Sequence, residues 1–132
     1  MTIGVRAMVL DSQGKVLLIR PSYTGGWIFP GGGLERGETA IDALARELKE
    51  ETAVTLKGTP VLFGCYSHER EFPGDHVLLY VIRDFEPGKF APSMEIREAR
   101  FFDLNNLPPE VTPGTRRRIE EVIKNRPPAA CW

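Results

Sequence analysis

The chain has little that would staple it, anchor it or give it a charge of one sign. Its only two cysteines, Cys65 and Cys131, stand far apart and belong to no CxxC or Cys/His cluster. That excludes a zinc pattern and a disulfide framework, and two plain thiols are expected. His68 and His76 are the only histidines, isolated from each other, so each is expected at a surface or hairpin position rather than on a metal. The longest apolar runs, such as Val77 to Ile82, fall far short of the ~18 residues of a membrane span. The first residues lack the layout of a signal peptide, and a cytoplasmic location without membrane association is expected. Lys and Arg number 17 against 18 Asp and Glu, a formal net charge of −1. Such a balance argues against a broad basic surface for nucleic acid, so an anionic ligand must meet positive charge locally, from a side chain or a metal ion.

What is present suits one soluble domain spanning residues 1–132. With 42% hydrophobic and 27% charged residues, a chain of this size buries roughly two thirds of its unfolded surface and folds without staples. Ile3 to Leu10 and Val16 to Arg20 read as strands joined by a turn at Asp11 to Lys15, an opening antiparallel hairpin. Between Pro21 and Gly37 lie six of the 13 glycines around Trp27-Ile28-Phe29, which reads as mostly loop with exposed backbone. From Thr39 the period becomes helical, with Ile41, Leu44, Ala45, Leu48 and Thr52 on one stripe, Thr39 as N-cap and Asp42 three residues on. Strands are expected over Pro60 to Ser67, His76 to Phe85 and Ile96 to Phe102, and a second helix over Thr115 to Lys124. The tail Pro127 to Trp132 reads as irregular.

The chemistry concentrates in Gly32 to Val54. Glu47, Glu50 and Glu51 stand at i, i+3 and i+4, which places three carboxylates on one helical face, about 120° from the apolar stripe. Three like charges so close repel, and a solvated face with Arg46 and Lys49 nearby is the plain alternative. The Gly-rich loop just before the helix changes the weighting. Its carbonyl oxygens and free N–H groups are what a hard divalent cation and a phosphate chain both need.

These residues resemble the Nudix box of the Nudix hydrolase family, in its MutT-like form. Gly32, Glu38, Arg46, Glu47, Leu48, Glu50, Glu51 and Val54 fill the pattern of that box, and only the penultimate glycine departs, being Ala53. The Ala53 departure predicts a slightly altered helix exit with intact catalysis, since glycine there permits positive φ and alanine resists it. The opening hairpin, the Pro-Gly-Gly-Gly run and the Glu95-to-Leu107 segment before Pro108 extend the likeness along nearly the whole chain. The resemblance implies an α/β Nudix fold, a mixed β-sheet sandwiched between α-helices. It also implies Mg²⁺- or Mn²⁺-dependent hydrolysis of phosphoanhydride bonds in nucleoside diphosphate-linked compounds, by a monomer or homodimer.

Carried over residue by residue, the metal ligands are Glu47, Glu50 and Glu51 with a carbonyl of Gly31 or Gly32. Glu47 is the first choice to activate water, with Glu95 and Glu98 in reserve. Arg46 orients Glu47 or loop carbonyls, and Glu38 holds the loop. Arg6 and Arg20 are candidates to pair with a terminal phosphate. Of the aromatics Tyr23, Trp27, Phe63, Tyr66 and Tyr80, at least three are assigned to the core, and Trp27 is the favoured contact for a base because it lies in the loop. Arg116-Arg117-Arg118 reads as a solvated helix face. A nucleoside triphosphate or oxidised nucleotide is placed first as substrate, with ADP-ribose or a nucleotide sugar as alternative. The rival of another class is a noncatalytic nucleotide-binding sensor module.

Overall fold

The computed structural model describes residues 1–132. Strand β1 (Thr2–Val9) turns Val5, Ala7 and Val9 to one face and Met8 to the other, and both faces are covered. A strand buried on both sides must be apolar along its length, which explains its near-continuous hydrophobic reading. It pairs antiparallel with β3 (Gly31–Gly33) and parallel with β6 (Asp75–Ile82), while β6 pairs antiparallel with β5 (Val61–Ser67). The result is a mixed four-stranded sheet of order β3-β1-β6-β5. A separate antiparallel ladder joins β2 (Lys15–Pro21) to β8 (Ile96–Asp103), and the short β4 (Thr55–Leu56) and β7 (Phe85–Glu86) pair with each other.

Helix α1 (Ala40–Thr52) lays Ala43, Leu44 and Leu48 on Val5, Ala7, Val9, Tyr80 and Ile82. Helix α2 (Pro113–Ile123) sets Ile119 among Met8, Leu18, Leu79 and Val81 on the opposite face. The architecture is the α/β/α sandwich with a mixed sheet. The expected stripe of α1 is shifted, however: Ile41 is exposed and Ala43 is buried in its place.

Several expectations are corrected in detail. The turn after β1 forms, with Asp11 Oδ1 accepting from the main-chain N–H groups of Gln13 and Lys15. Yet β1 and β2 share one isolated bridge, Leu10 with Val16, before entering different sheets, so the opening hairpin is a turn between sheets rather than a ladder. Gly31 to Gly33, read as loop, is a strand. Gly31 has φ 155°, and a β-carbon there would sit 2.0 Å from the Val5 carbonyl oxygen, so close backbone approach takes the place of side-chain packing.

Both ends of α1 follow from single residues. Thr39 Oγ1 accepts from the Asp42 N–H and Asp42 Oδ2 accepts from the Thr39 N–H, a reciprocal capping box that satisfies two orphan donors. At the other end Ala53 adopts φ 63°, ψ 12°, and its N–H donates to the Lys49 carbonyl. The altered exit expected from the missing glycine does not occur. The alanine takes the left-handed path itself, at a cost of roughly 1–2 kcal/mol from crowding of its β-carbon. The last residues are irregular, as expected, but they are tied down: the Ser67 N–H donates to Ala130 O at 2.8 Å and the Trp132 N–H to Ser67 O at 3.0 Å.

Candidate active site

The glycine strand and the acidic face of α1 meet at one contact. Glu51 Oε1 accepts from the Gly31 N–H at 2.7 Å, tying the third turn of the helix to β3. Burial raises the Glu51 carboxyl to about 7, against the pull of that hydrogen bond, with Glu47 adding repulsion. One turn earlier, Glu47 lies over Gly32, where a β-carbon would stand 2.6 Å from Glu47 Oε1. Only a glycine lets this carboxylate lie against the strand. Burial lifts its pKa as well, opposed by the hydrogen bond from Arg46. Glu50, the most exposed of the three with 60% of its side chain accessible, faces solvent beside Arg46.

Arg46 organises the loop between these elements. Its Nε and Nη2 donate to the two oxygens of Glu38 at 2.7 and 2.9 Å, a bidentate pair, and Nη2 also donates to the Gly33 carbonyl at 3.2 Å. Its Nη1 donates to Glu47 Oε1 at 2.8 Å. Glu38 accepts in addition from the Glu35 N–H at 2.8 Å. The Arg46 bonds, then that main-chain N–H, hold the Glu38 carboxyl down at about 2. Glu38 and Arg46 thus fix the chain from Gly33 to Glu38 against α1 and leave Glu47 with one free oxygen, as bidentate geometry would make rigid.

Arg6, on β1 beside Gly31, donates from Nη1 to the Phe29 carbonyl at 2.8 Å, and its positive charge favours the ionised forms of Glu47 and Glu51. It lines a cavity of about 610 Å³ that starts at Gly32 and Gly33 and ends at Phe72 and Trp132. That volume lies within the range of small-molecule sites.

The other expected site residues fall elsewhere. Arg20 on β2 is paired with Glu98 on β8 at 3.0 Å, and its guanidinium lies 5.8 Å from the Trp27 ring. Neither Arg20 nor Glu98 lines the cavity, and Glu95 is exposed just before β8. Trp27 is 4% exposed, with Arg20 over it and Phe102 edge-on at 4.7 Å, so it is a core residue and not a platform for a base. Tyr66 and Tyr80 are likewise buried, whereas Tyr23 is exposed. His68 lies at a hairpin position as expected, in the connection between β5 and β6, with its Nδ1 3.2 Å from Asp75 Oδ2 at the cavity wall. Of the arginine run Arg116 and Arg117 are exposed as expected, but Arg118 is 1% exposed and its guanidinium grips Glu121 at 2.9 and 3.1 Å. The aromatics that do line the cavity, Phe72 and Trp132, were missed, and the lone indole in a Pro- and Ala-rich tail was their one signal in the sequence.

The three carboxylates do not converge into a ready-made metal cluster. The physical reason is local: Gly31 occupies Glu51 and Arg46 draws Glu47 and Glu50 toward itself. The donor set nevertheless fits a hard divalent cation. Glu47 and Glu51 each keep one oxygen without a hydrogen-bond partner, and burial disfavours the charged form of both, which a cation would offset.

Fold and site together define an α/β/α protein whose helix-borne carboxylates face a glycine strand. The chain belongs to the NUDIX family of hydrolases, whose model, described as NUDIX domain, matches residues 1–122. It is 39% identical over 104 residues to an ADP-ribose pyrophosphatase of Methanocaldococcus jannaschii, an overlap of 76% of this chain and 61% of that protein. It is 34% identical over 97 residues to the NAD-capped RNA hydrolase NudC of Vibrio parahaemolyticus, covering 71% of this chain and 36% of that one. The chain thus spans less than two thirds of the length of either relative. Among solved structures, the MutT NUDIX hydrolase of Burkholderia pseudomallei superimposes with a TM-score of 0.77 at 28% identity, over 92% of this chain and 97% of that one.

Proposed function

We propose that the chain hydrolyses a phosphoanhydride bond in nucleoside diphosphate-linked compounds, with ADP-ribose as the first substrate. The observation that carries this reading is the seating of Glu47 and Glu51 against Gly31 and Gly32, on the strand whose Gly32 and Gly33 line the cavity. The 39% identity to an ADP-ribose pyrophosphatase supports placing ADP-ribose ahead of the triphosphates that the sequence alone favoured. The 28% identical MutT structure supports a nucleoside triphosphate or oxidised nucleotide as the second reading. A purely binding module would have no need of three retained carboxylates.

Glu47, Glu50 and Glu51, with a carbonyl of Gly31 or Gly32, would hold Mg²⁺ or Mn²⁺. Such a cation supplies positive charge to the phosphate oxygens and lowers the pKa of bound water. The protein's own residues do the rest. Arg46 fixes the Glu47 carboxylate through Oε1, and Glu47 is the first choice to take the proton of the attacking water, with Glu50, Glu51 and the loop carbonyl then left to carry the cation. The oxygen of that water bonds to phosphorus, the bridging P–O bond breaks, and the leaving phosphate departs with the electron pair. With ADP-ribose the products are AMP and ribose 5-phosphate. Arg6 stands where it can pair with a phosphate oxygen, while Glu38 keeps the loop in place without touching substrate.

The test is a substrate panel containing ADP-ribose, nucleotide sugars, nucleoside triphosphates and oxidised nucleotides, read by coupled phosphate release with Mg²⁺, with Mn²⁺ and with chelator. Chelator-sensitive turnover of ADP-ribose at kcat/KM of about 10⁴ M⁻¹s⁻¹ or more is expected. Turnover confined to triphosphates selects the second reading, and silence with tight nucleotide binding selects the sensor.

A further inference from the structure

The cavity has two unlike ends. On the side of β3 and β1 it is lined by Gly32, Gly33 and Arg6, main-chain groups and a cation suited to an anion. On the side of β5 and β6 stand two aromatic rings, Phe72 from the connection between those strands and Trp132 from the tail, with His68 and Asp75 also in the lining. His68 Nδ1 and Asp75 Oδ2 are 3.2 Å apart. Flat apolar surface beside a hydrogen-bonding edge is what a heteroaromatic base requires.

Trp132 is held there by more than packing. Its N–H donates to Ser67 O at 3.0 Å, and its carbonyl oxygen accepts from Arg117 Nη2 at 2.8 Å and from Arg118 Nη1. The buried Arg118 is itself fixed by Glu121, which also accepts from Tyr66 Oη at 2.9 Å and from the Ala129 N–H at 3.1 Å. The indole packs against Tyr66 at 5.3 Å and Phe29 at 6.2 Å. A β-carbon on Gly114 would lie 2.5 Å from the indole Nε1, so the first turn of α2 needs glycine to admit the ring. An indole that only plugged the core would be covered on every side, yet this one is half-buried and forms part of the cavity wall. Phe72, 61% exposed at the rim, lies 5.2 Å from the His68 ring in an edge-type pair. A ring fixed in advance lowers the entropic cost of holding a ligand.

We propose that Trp132 is a specificity-determining residue, forming with Phe72 the wall against which the nucleobase of the substrate stacks. The tail from residue 127 to 132 is thereby part of the substrate site, far in sequence from the carboxylates. This inference rests on the reading of the chain as acting on nucleotide-linked compounds, and it concerns which end of the cavity takes the base.

The experiment measures binding without turnover. AMP and ribose 5-phosphate are titrated separately, in chelator, into the full chain and into Trp132→Leu by calorimetry. The two indole Nε1–H signals of the wild-type protein are followed by NMR, with Trp27→Phe assigning them. The wild type is expected to bind AMP more tightly than ribose 5-phosphate, and AMP is expected to shift the Trp132 signal while leaving that of the buried Trp27 in place. Trp132→Leu should weaken AMP about tenfold and ribose 5-phosphate less than twofold, the scale of one lost base–aromatic stack. Phe72→Leu should give a smaller loss of the same pattern. Equal weakening of both ligands would overturn the proposal, as would AMP binding no tighter than ribose 5-phosphate or failing to move the Trp132 signal. If Trp132→Leu does not fold, the wild-type NMR titration decides alone. Absence of hydrolysis with base-dependent binding intact would count against the catalytic reading and leave this one standing.

Discussion

Helices α1 and α2 cover opposite faces of one sheet by opposite means. Helix α1 is locally complete: a reciprocal cap at Thr39, Arg46 bound to Glu38 and Glu47, and Glu51 joined to Gly31 twenty residues earlier. Helix α2 begins at Pro113 without a side-chain cap, and its buried Arg118 finds its partners in Glu121 and in the carbonyls of Cys131 and Trp132. The first helix carries charge outward to where chemistry can use it. The second buries a charge to pin down a distant segment. Chemistry in this molecule comes from one continuous stretch, whereas the cavity's aromatic wall is assembled from segments that only the tertiary fold brings together.

The sharpest way to break this contrast is to remove the central arginine on the α2 side. Arg118→Ala removes the buried positive charge facing Glu121 and the donor to the Cys131 carbonyl, leaving Glu121 to Tyr66 and Ala129 and the Trp132 carbonyl to Arg117, and stability measured by urea unfolding is expected to fall by about 3–5 kcal/mol. A loss below about 1 kcal/mol would mean that the tail is held by packing alone.

On the α1 side, Glu50→Gln and Glu51→Gln are each expected to lower kcat at least about a hundredfold with the circular dichroism spectrum unchanged, some 2.7 kcal/mol in the barrier. Near-normal turnover in both would remove these carboxylates from the site.

Glu51→Gln sharpens the comparison a second time, because its effect on stability has the opposite sign. Folding raises the Glu51 carboxyl to about 7, chiefly by burial. The charged form is therefore disfavoured in the folded state, and stability is lost as pH rises from the unfolded carboxylate value through 7. Without divalent cations the glutamine variant should be more stable at pH 8, by on the order of 1–3 kcal/mol, with the gain vanishing near pH 4. Melting temperatures at both pH values check this, and an equal gain at both would refute the titration as its source.

The smallest effect is expected at Ala53. Glycine in its left-handed position should relieve about 1 kcal/mol of strain, and turnover should hardly change because no carboxylate moves. A large gain in turnover would show that the alanine distorts the site.

This contrast also decides what could be read from the chain. The cap at Thr39 and the acidic face of α1 were legible because each depends on residues within a turn or two of one another, whereas the α/β/α layering came from the resemblance that the box residues carry. The strand at Gly31 to Gly33 was hidden, since glycine carries no strand propensity and its pairing with β1 rests on close backbone approach. Trp27 misled because a glycine-rich neighbourhood suggested exposure, while its isolated bridge to Val111 draws it into the core. Arg118 misled for the converse reason: a run of three arginines looks solvated until a tail is seen to close over one of them. The place of Trp132 depends on Ser67, 65 residues away, and no local pattern encodes that.

The central claim is that the carboxylates seated on the glycine strand make this chain a cation-dependent hydrolase of nucleoside diphosphate derivatives. Its most direct test is the release of AMP from ADP-ribose by the wild-type chain and by Glu51→Gln, each with Mg²⁺ and with chelator. The account predicts turnover by the wild type only, abolished by chelator. Equal AMP release by both proteins, or release that persists in chelator, would contradict it.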